Sequence, residues 1–253
     1  MSESATIYSV ERGVATITLN REDNRNAMSA DLLNSLGDNI KAAETDDKAR
    51  VVVLTNMGNT FSAGADLKGS STEEMRYSLV DIFDLMQQST KPVVGRIAGH
   101  CMGGGVGLAA ACDISVVADD CKLGFTEVRI GVAPAIISVV CLPKMRSSDA
   151  MELFLSGERI AATRAAEVGL INYAVERDAL DEKVSEIVGK LVQGGPKALA
   201  ASKQLVRRVL EMSQADAFDW TAKLSAELFQ SPEAGEGIAA FREKRAAAWV
   251  PAD

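Results

Sequence analysis

Two strand-like runs, KPVVGRIA (91–98, with its lysine first) and DISVVA (113–118), are joined by a segment made almost wholly of small residues, GHCMGGGVGLAAAC (99–112). Only a short helix fits between them, and a helix this bare must set its backbone close against its surroundings. The strand–loop–helix–strand order favours parallel pairing. The same order occurs just upstream. RVVVLT (50–55) reads as a buried strand, and NMGNTFSAGADLKGSS (56–71) as a loop rich in Gly and Ser. Ser71 with Glu74 has the capping-box spacing for a helix reaching about Ser89. Residues 5–10 and 14–19 alternate as a hairpin about ERG, and Ser29 caps a helix carrying Leu32, Leu33, Leu36, Ile40 and Ala43. From about 147 the pattern turns mostly helical, with helices expected near 197–212, 214–229 and 233–247. The expected class is α/β with a mainly parallel sheet. GGP (194–196) divides it into a core, 1–194, and a helical region, 195–253.

Composition removes several classes of function. A net charge of −8 argues against nucleic acid as the main partner, without excluding a local basic pocket. The four cysteines (101, 112, 121, 141) form no CxxC, and His100 is the only histidine, so neither a metal site nor a redox dithiol is expected. Reduced thiols in a cytoplasmic protein are the plain expectation. The polar start MSESATIYSV predicts no signal peptide, and no apolar run reaches the length of a membrane span.

The glycine run has three possible uses. GVGLAA (105–110) matches a dinucleotide fingerprint in form, but the next strand begins near Asp113, too soon for the crossover helix such a site requires. Close packing of helix on sheet is the second. The third is an exposed set of backbone N–H groups at a helix N-terminus, facing a polarised oxygen. FSAGADLKG (61–69) follows the strand 50–55 as the glycine run follows 91–98. Two N–H groups from successive strand ends on one sheet edge can converge on one oxygen, as in an oxyanion hole.

FSAGADLK, GHCMGGGVGLAAACDISVVAD, LGFTEVRIGVAPA and SGERIAATRAAEVGLINYAV, in that order, resemble the crotonase family, also called enoyl-CoA hydratase/isomerase. The resemblance runs from about residue 6 to FREKRAAAW (241–249), and GGGVGLAAACD with TEVRIGVAPAIIS is similar to the methylglutaconyl-CoA hydratase-like branch. It implies a spiral of ββα units with C-terminal helices that assemble into homo-trimers or hexamers, dimers of trimers. It implies an acyl-CoA thioester as substrate, of the kind met in fatty acid metabolism and β-oxidation. No metal or cofactor is implied, the coenzyme A being part of the substrate.

By the same resemblance the N–H groups of Ala65 and Gly104 hold the thioester oxygen. Ala63 meets the adenine with its backbone, and Lys68 contacts the CoA, with Asp66 and Leu67 beside it in the CoA-binding loop. Asp66 and Asp113 also recur in the motifs as structural acids. Arg25, in NRNAM, approaches the pantetheine and phosphates, and Lys244, in FREKR, reaches a neighbouring subunit's CoA. Hydratases of the family place two glutamates about the double bond. The second matches Glu127, whereas the position of the first is Gly107. The resemblance therefore implies a hydratase working with one glutamate. A double-bond isomerase with one proton carrier and a non-catalytic acyl-CoA binder are the alternatives. The space beside Gly107 is expected either to be spare or to receive a bulky acyl group. Taken without the resemblance, Glu127 reads as a surface acid paired with Arg129, and His100 as a packed, hydrogen-bonded side chain.

Overall fold

The computed structural model describes residues 4–69 and 71–251. The outer ends of the two expected units, 1–3 and 252–253, lie outside the described residues. In chain order the elements are β1 (Thr6–Glu11), β2 (Val14–Leu19), α1 (Ala30–Thr45), β3 (Val51–Asn56), β4 (Thr60–Ser62), α2 (Leu79–Gln88), β5 (Val93–Ile97), β6 (His100–Met102), α3 (Gly104–Ala111), β7 (Ile114–Ala118) and β8 (Lys122–Gly124). They continue with α4 (Ala135–Cys141), α5 (Ser147–Ser156), β9 (Arg159–Ala161), α6 (Ala162–Glu167), β10 (Tyr173–Val175), α7 (Leu180–Val192), α8 (Pro196–Arg208), α9 (Gln214–Phe229) and α10 (Pro232–Glu243).

The large sheet has the order β1-β2-β3-β5-β7-β10, antiparallel between β1 and β2 and parallel thereafter. β3 is buried along its whole length, its apolar run Val51–Leu54 followed by the buried polar Thr55 and Asn56, whereas β2 alternates and turns Ala15, Ile17 and Leu19 into the core. A second sheet, β4-β6-β8-β9, has no counterpart in the sequence pattern. Each of three successive units gives one strand to the large sheet and a three-residue strand to the small one, as β3–β4, β5–β6 and β7–β8. A helix follows the small strand each time, which makes the spiral of ββα units. The step from β5 to β6 needs a bare backbone at Gly99, where a Cβ would lie 2.5 Å from the Phe61 nitrogen.

α3 lies at the centre, with all eight residues buried. α1 packs Leu32, Leu33 and Leu36 inward, each burial contributing about 1.5–3 kcal/mol. Ser29 takes the N-cap position in extended conformation, but its hydroxyl donates to the Ala27 carbonyl instead of capping. The helix expected from Ser71 starts later. Its capping box is Ser78 with Asp81, and α2 runs only over Leu79–Gln88. Residues 71–77 stay irregular, with Ser71 Oγ accepting the Glu73 N–H locally.

α8 is tied to the core by charge. Asp113, at the start of β7, accepts the Val93 N–H at 2.8 Å and pairs with Lys203 at 2.8 Å and Arg207 at 3.0 Å. Its structural role stands. α9 buries no residue and α10 buries only Ala240, so these helices present their apolar side chains outward. Among the described residues no helix is long and apolar enough to cross a membrane, and no group of three or more His, Cys, Asp or Glu side chains could hold a metal.

Candidate active site

The small sheet brings the two loops together. β4 and β6 pair in parallel, so the segments leaving them, 63–68 and 103–104, emerge side by side. A Cβ built on Gly64 (φ +88°) would stand 3.3 Å from the Gly104 nitrogen and 2.9 Å from the Met102 carbonyl. Met28 clamps the first loop by donating its N–H to the Gly64 carbonyl at 2.8 Å and bridging to Ala65. Gly103 (φ +51°) turns the chain into α3, whose first residue is Gly104. The Gly104 N–H therefore belongs to the helix's first turn, where no intrahelical acceptor exists. The loops that carry Ala65 and Gly104 meet through Gly64, on the small sheet and not on the ends of β3 and β5.

Register also delivers the carboxyl. β6 pairs with β8 through Met102 and Gly124, and the Gly103 N–H donates to the Gly124 carbonyl at 3.0 Å. Three residues on, in the 3-10 turn Thr126–Ile130, Glu127 lies against Gly103, with Oε1 3.1 Å from where a Cβ on that glycine would be. Arg129 does not pair with it, donating instead to the carbonyls of Gly157 and Ser156. Glu127 Oε2 is buried with no hydrogen-bond partner among the described residues. Burial holds the carboxyl pKa above its ordinary value, an effect only partly offset by a hydrogen bond from the residue's own backbone.

The glycines divide into two kinds. A Cβ on Gly104 would meet Met28 Sδ at 2.5 Å and approach Leu79 Cδ2 to 3.4 Å, and one on Gly105 would meet the Ser62 carbonyl oxygen at 2.4 Å. Close packing thus explains part of the run. Gly107 answers differently from both expectations. The place of its side chain is filled by the protein itself, with Ile137 Cγ2 at 2.6 Å and Phe83 Cζ at 2.7 Å from a built Cβ. The space is neither spare nor open to an acyl group.

Of the expected CoA residues, Ala63, Asp66, Leu67 and Lys68 lie in one loop. Ala63, Ala65, Leu67 and Lys68 are exposed, and Asp66 Oδ1 accepts the Lys68 N–H at 3.1 Å, an Asx turn that fits its structural reading. Arg25 is exposed beside them and accepts the Ala63 N–H at its carbonyl, 3.0 Å away. That leaves Ala63 its carbonyl, not its N–H, for a purine. Lys244 ends α10 at φ +55°, and among the described residues no hydrogen bond or ion pair joins it to the 63–68 loop. His100 is structural, its Nδ1 accepting the Lys122 N–H at 3.0 Å.

Asn26 was missed by sequence reasoning. Fully buried, it accepts the Arg21 N–H at 2.7 Å and donates to the Thr60 carbonyl at 2.8 Å, fixing the Arg25 turn onto β4. A polar residue inside a polar stretch gave no signal of that burial. Met28, Leu79, Phe83 and Ile137 were likewise indistinguishable from other core residues.

Residues 9–251 match the sequence profile of the enoyl-CoA hydratase/isomerase family. The chain belongs to that family. It is 31% identical to the 2,3-dehydroadipyl-CoA hydratase of Escherichia coli, over 96% of this chain and 97% of that one. It is 29% identical to the short-chain-enoyl-CoA hydratase of Clostridium acetobutylicum, over 94% and 95%. The crystal structure of an enoyl-CoA hydratase from Mycobacterium smegmatis superposes with a TM-score of 0.89 at 30% identity, covering 98% of this chain and 99% of that one.

Proposed function

We propose that this chain is an enoyl-CoA hydratase, adding water across the α,β double bond of an acyl-CoA thioester with Glu127 as the only side-chain acid–base group at the reacting carbons. The observation that carries this is the half-buried Glu127 carboxyl beside Gly103, at the N-terminus of α3, whose Oε2 is buried with no hydrogen-bond partner among the described residues. The N–H groups of Ala65 and Gly104 bind the thioester oxygen and draw electron density from the β-carbon. The Glu127 carboxylate takes one proton from water as the hydroxide oxygen bonds to that carbon. The double-bond electrons move to an enolate, whose oxygen each donor stabilises by about 3 kcal/mol. Glu127 then returns the proton to the α-carbon, so one water is consumed and the enzyme is unchanged. A carboxyl with a raised pKa suits a group that must take and give a proton in one turnover.

Lys68 and Arg25 meet the phosphates and pantetheine, and residues 195–253 form the assembly region of a trimer or hexamer in which Lys244 reaches a neighbour's CoA. The exposed Phe218, Phe229 and Phe241 support that assignment. The coenzyme A is the substrate's own carrier and no further cofactor takes part. Four free, buried cysteines suit a cytoplasmic setting.

The test is Glu127→Gln, assayed by loss of the conjugated enoyl-thioester absorbance. Hydration is expected to fall by about 10²–10⁴-fold while CoA binding survives. A variant with near-parental turnover would refute the single-glutamate mechanism. Gly107 keeps an isomerase as the second reading, since one carboxylate suffices to move a proton between the α and γ carbons. Appearance of the conjugated absorbance from a β,γ-enoyl-CoA, without water addition, would decide for it. Binding with no turnover in either direction would decide for a non-catalytic acyl-CoA binder.

A further inference from the structure

Between the Lys68 loop and α2 the chain passes through residues 71–77 with neither helix nor strand, and 72–76 are exposed. Its one large apolar side chain before Tyr77, Met75, is 53% exposed. An irregular exposed stretch loses much backbone entropy on ordering, so some other contact must hold it.

That contact is one face of α1. Asn34 is buried at 3% exposure. Its Nδ2 donates to the Glu74 carbonyl at 2.8 Å and to the Glu73 carboxylate at 3.4 Å. Its Oδ1 accepts the Arg76 N–H at 2.7 Å and the Tyr77 N–H at 3.3 Å. All four hydrogen-bonding positions of the amide are spent on this strap. One turn on, a Cβ at Gly37 would lie 2.5 Å from Tyr77 Cδ2, so the ring occupies the place of the absent side chain. Asp38 takes the Arg76 guanidinium at 3.0 and 2.6 Å and the Tyr77 hydroxyl at 3.2 Å. The Lys41 ammonium stands 4.8 Å from the ring centroid. Positions 34, 37, 38 and 41 share one helix face. A buried asparagine and a glycine inside a helix both lower its stability unless something compensates, and here the strap uses both.

The strap ends at Ser78, which caps α2, and Leu79, the first residue of that helix, reaches to 3.4 Å of where a Cβ on Gly104 would stand. We propose that Asn34, with Asp38 and the Tyr77 seat at Gly37, is a positioning device for the acyl side of the site: it docks residues 73–77, seats Leu79 against Gly104, and so sets affinity for the acyl group and not for the CoA moiety. This rests on Gly104 being a donor to the thioester carbonyl.

The test uses the full chain and two ligands that need no turnover, butyryl-CoA and free CoA, with calorimetric titration of parent and Asn34→Ala. The variant should bind butyryl-CoA several-fold more weakly and free CoA unchanged, and trypsin should cut faster after Arg76. In turnover, KM should rise by more than kcat falls. If Asn34→Ala does not fold, Asp38→Asn carries the same readouts from a half-exposed position. Equal weakening of both ligands would show general damage and overturn the proposal. Faster cleavage with unaltered butyryl-CoA affinity would overturn it as well, and so would unaltered cleavage. A parent that binds both ligands equally has no acyl contribution for the strap to set, and that result also overturns the proposal. Absence of hydration in the parent, by contrast, sinks only the hydratase reading, because the binding difference is measured without it.

Discussion

Gly107→Ala sets two opposing effects against each other. Replacing a glycine inside a helix by alanine gains about 1 kcal/mol in intrinsic propensity. At Gly107 the added methyl would stand 2.6 Å from Ile137 Cγ2, 2.7 Å from Phe83 Cζ and 3.0 Å from Ile137 Cβ. Phe83 Cζ is a ring tip that could shift. Ile137 Cβ is a branch atom fixed to α4 and cannot move without the helix. Both neighbours are buried, at 3% and 4% exposure, so neither can swing into solvent. Overpacking of this kind costs about 1–3 kcal/mol, and two contacts this short place it at the upper end. The net expectation is a loss of about 2 kcal/mol, or 2–4 °C in Tm for each kcal/mol in a domain of about this size. Gly107→Glu should lose more, because a carboxylate would be buried among apolar side chains without a partner, and it should not raise hydration. Urea and thermal unfolding of Gly107→Ala, Ile137→Ala and the double variant form the assay. Ile137→Ala alone should cost about 2–5 kcal/mol, and the pair less than the sum, since each relieves the other. Gly107→Ala as stable as the parent, or strict additivity in the pair, would refute the account of a filled site.

Burial raises the Glu127 pKa, so ionising this carboxyl is harder in the folded than in the unfolded chain. Its stability contribution is therefore full below the ordinary carboxylate range and declines as pH rises through the folded pKa. Glu127→Gln should accordingly be more stable than the parent at neutral pH, with the gap closing in acid; a less stable variant at neutral pH contradicts the assignment. Asp113→Asn leaves Lys203, whose side chain is 9% exposed and whose pKa is lowered chiefly by burial, without its partner. It should cost about 3–5 kcal/mol in denaturant unfolding, whereas a change within experimental error would mean that the Asp113 pairs are solvent-screened. Native mass measurement should give a multiple of three 26.8 kDa chains, because α9 buries none of its residues in its own subunit; a monomer sinks the assembly proposal.

Legibility followed element length and local chemistry. The hairpin, α1, β3, β5, β7 and the C-terminal helices each carry several residues of clear period or strong punctuation, and each lies within a few positions of where the pattern puts it. The small sheet is invisible in the sequence because its strands hold three residues each, too few for a two-residue period to register. The start of α2 is ambiguous because Ser71 and Glu74 satisfy the capping pattern as well as Ser78 and Asp81 do. The choice is made by Asn34, forty residues before Glu74 in the chain, which takes the backbone of Glu74, Arg76 and Tyr77 out of any helix.

The candidate site divides in the same way. The types and order of its residues, bare backbone at 64 and 103–105 and a carboxyl at 127, are properties of the sequence. So are the absence of histidine beyond His100 and the negative charge, which argue against metal and nucleic-acid readings. Tertiary structure decided where the two loops meet, because the register of β4 on β6 and of β6 on β8 sets Gly64 beside Gly104 and Glu127 against Gly103. It also decided that Glu127 Oε2 is buried with no hydrogen-bond partner among the described residues while Arg129 turns to other carbonyls. And it decided that Gly107 is a packing residue, since the atoms filling its space come from α2 and α4. Short-range sequence encodes which groups are offered. Which of them meet, and in what dielectric, depends on contacts between residues far apart in the chain.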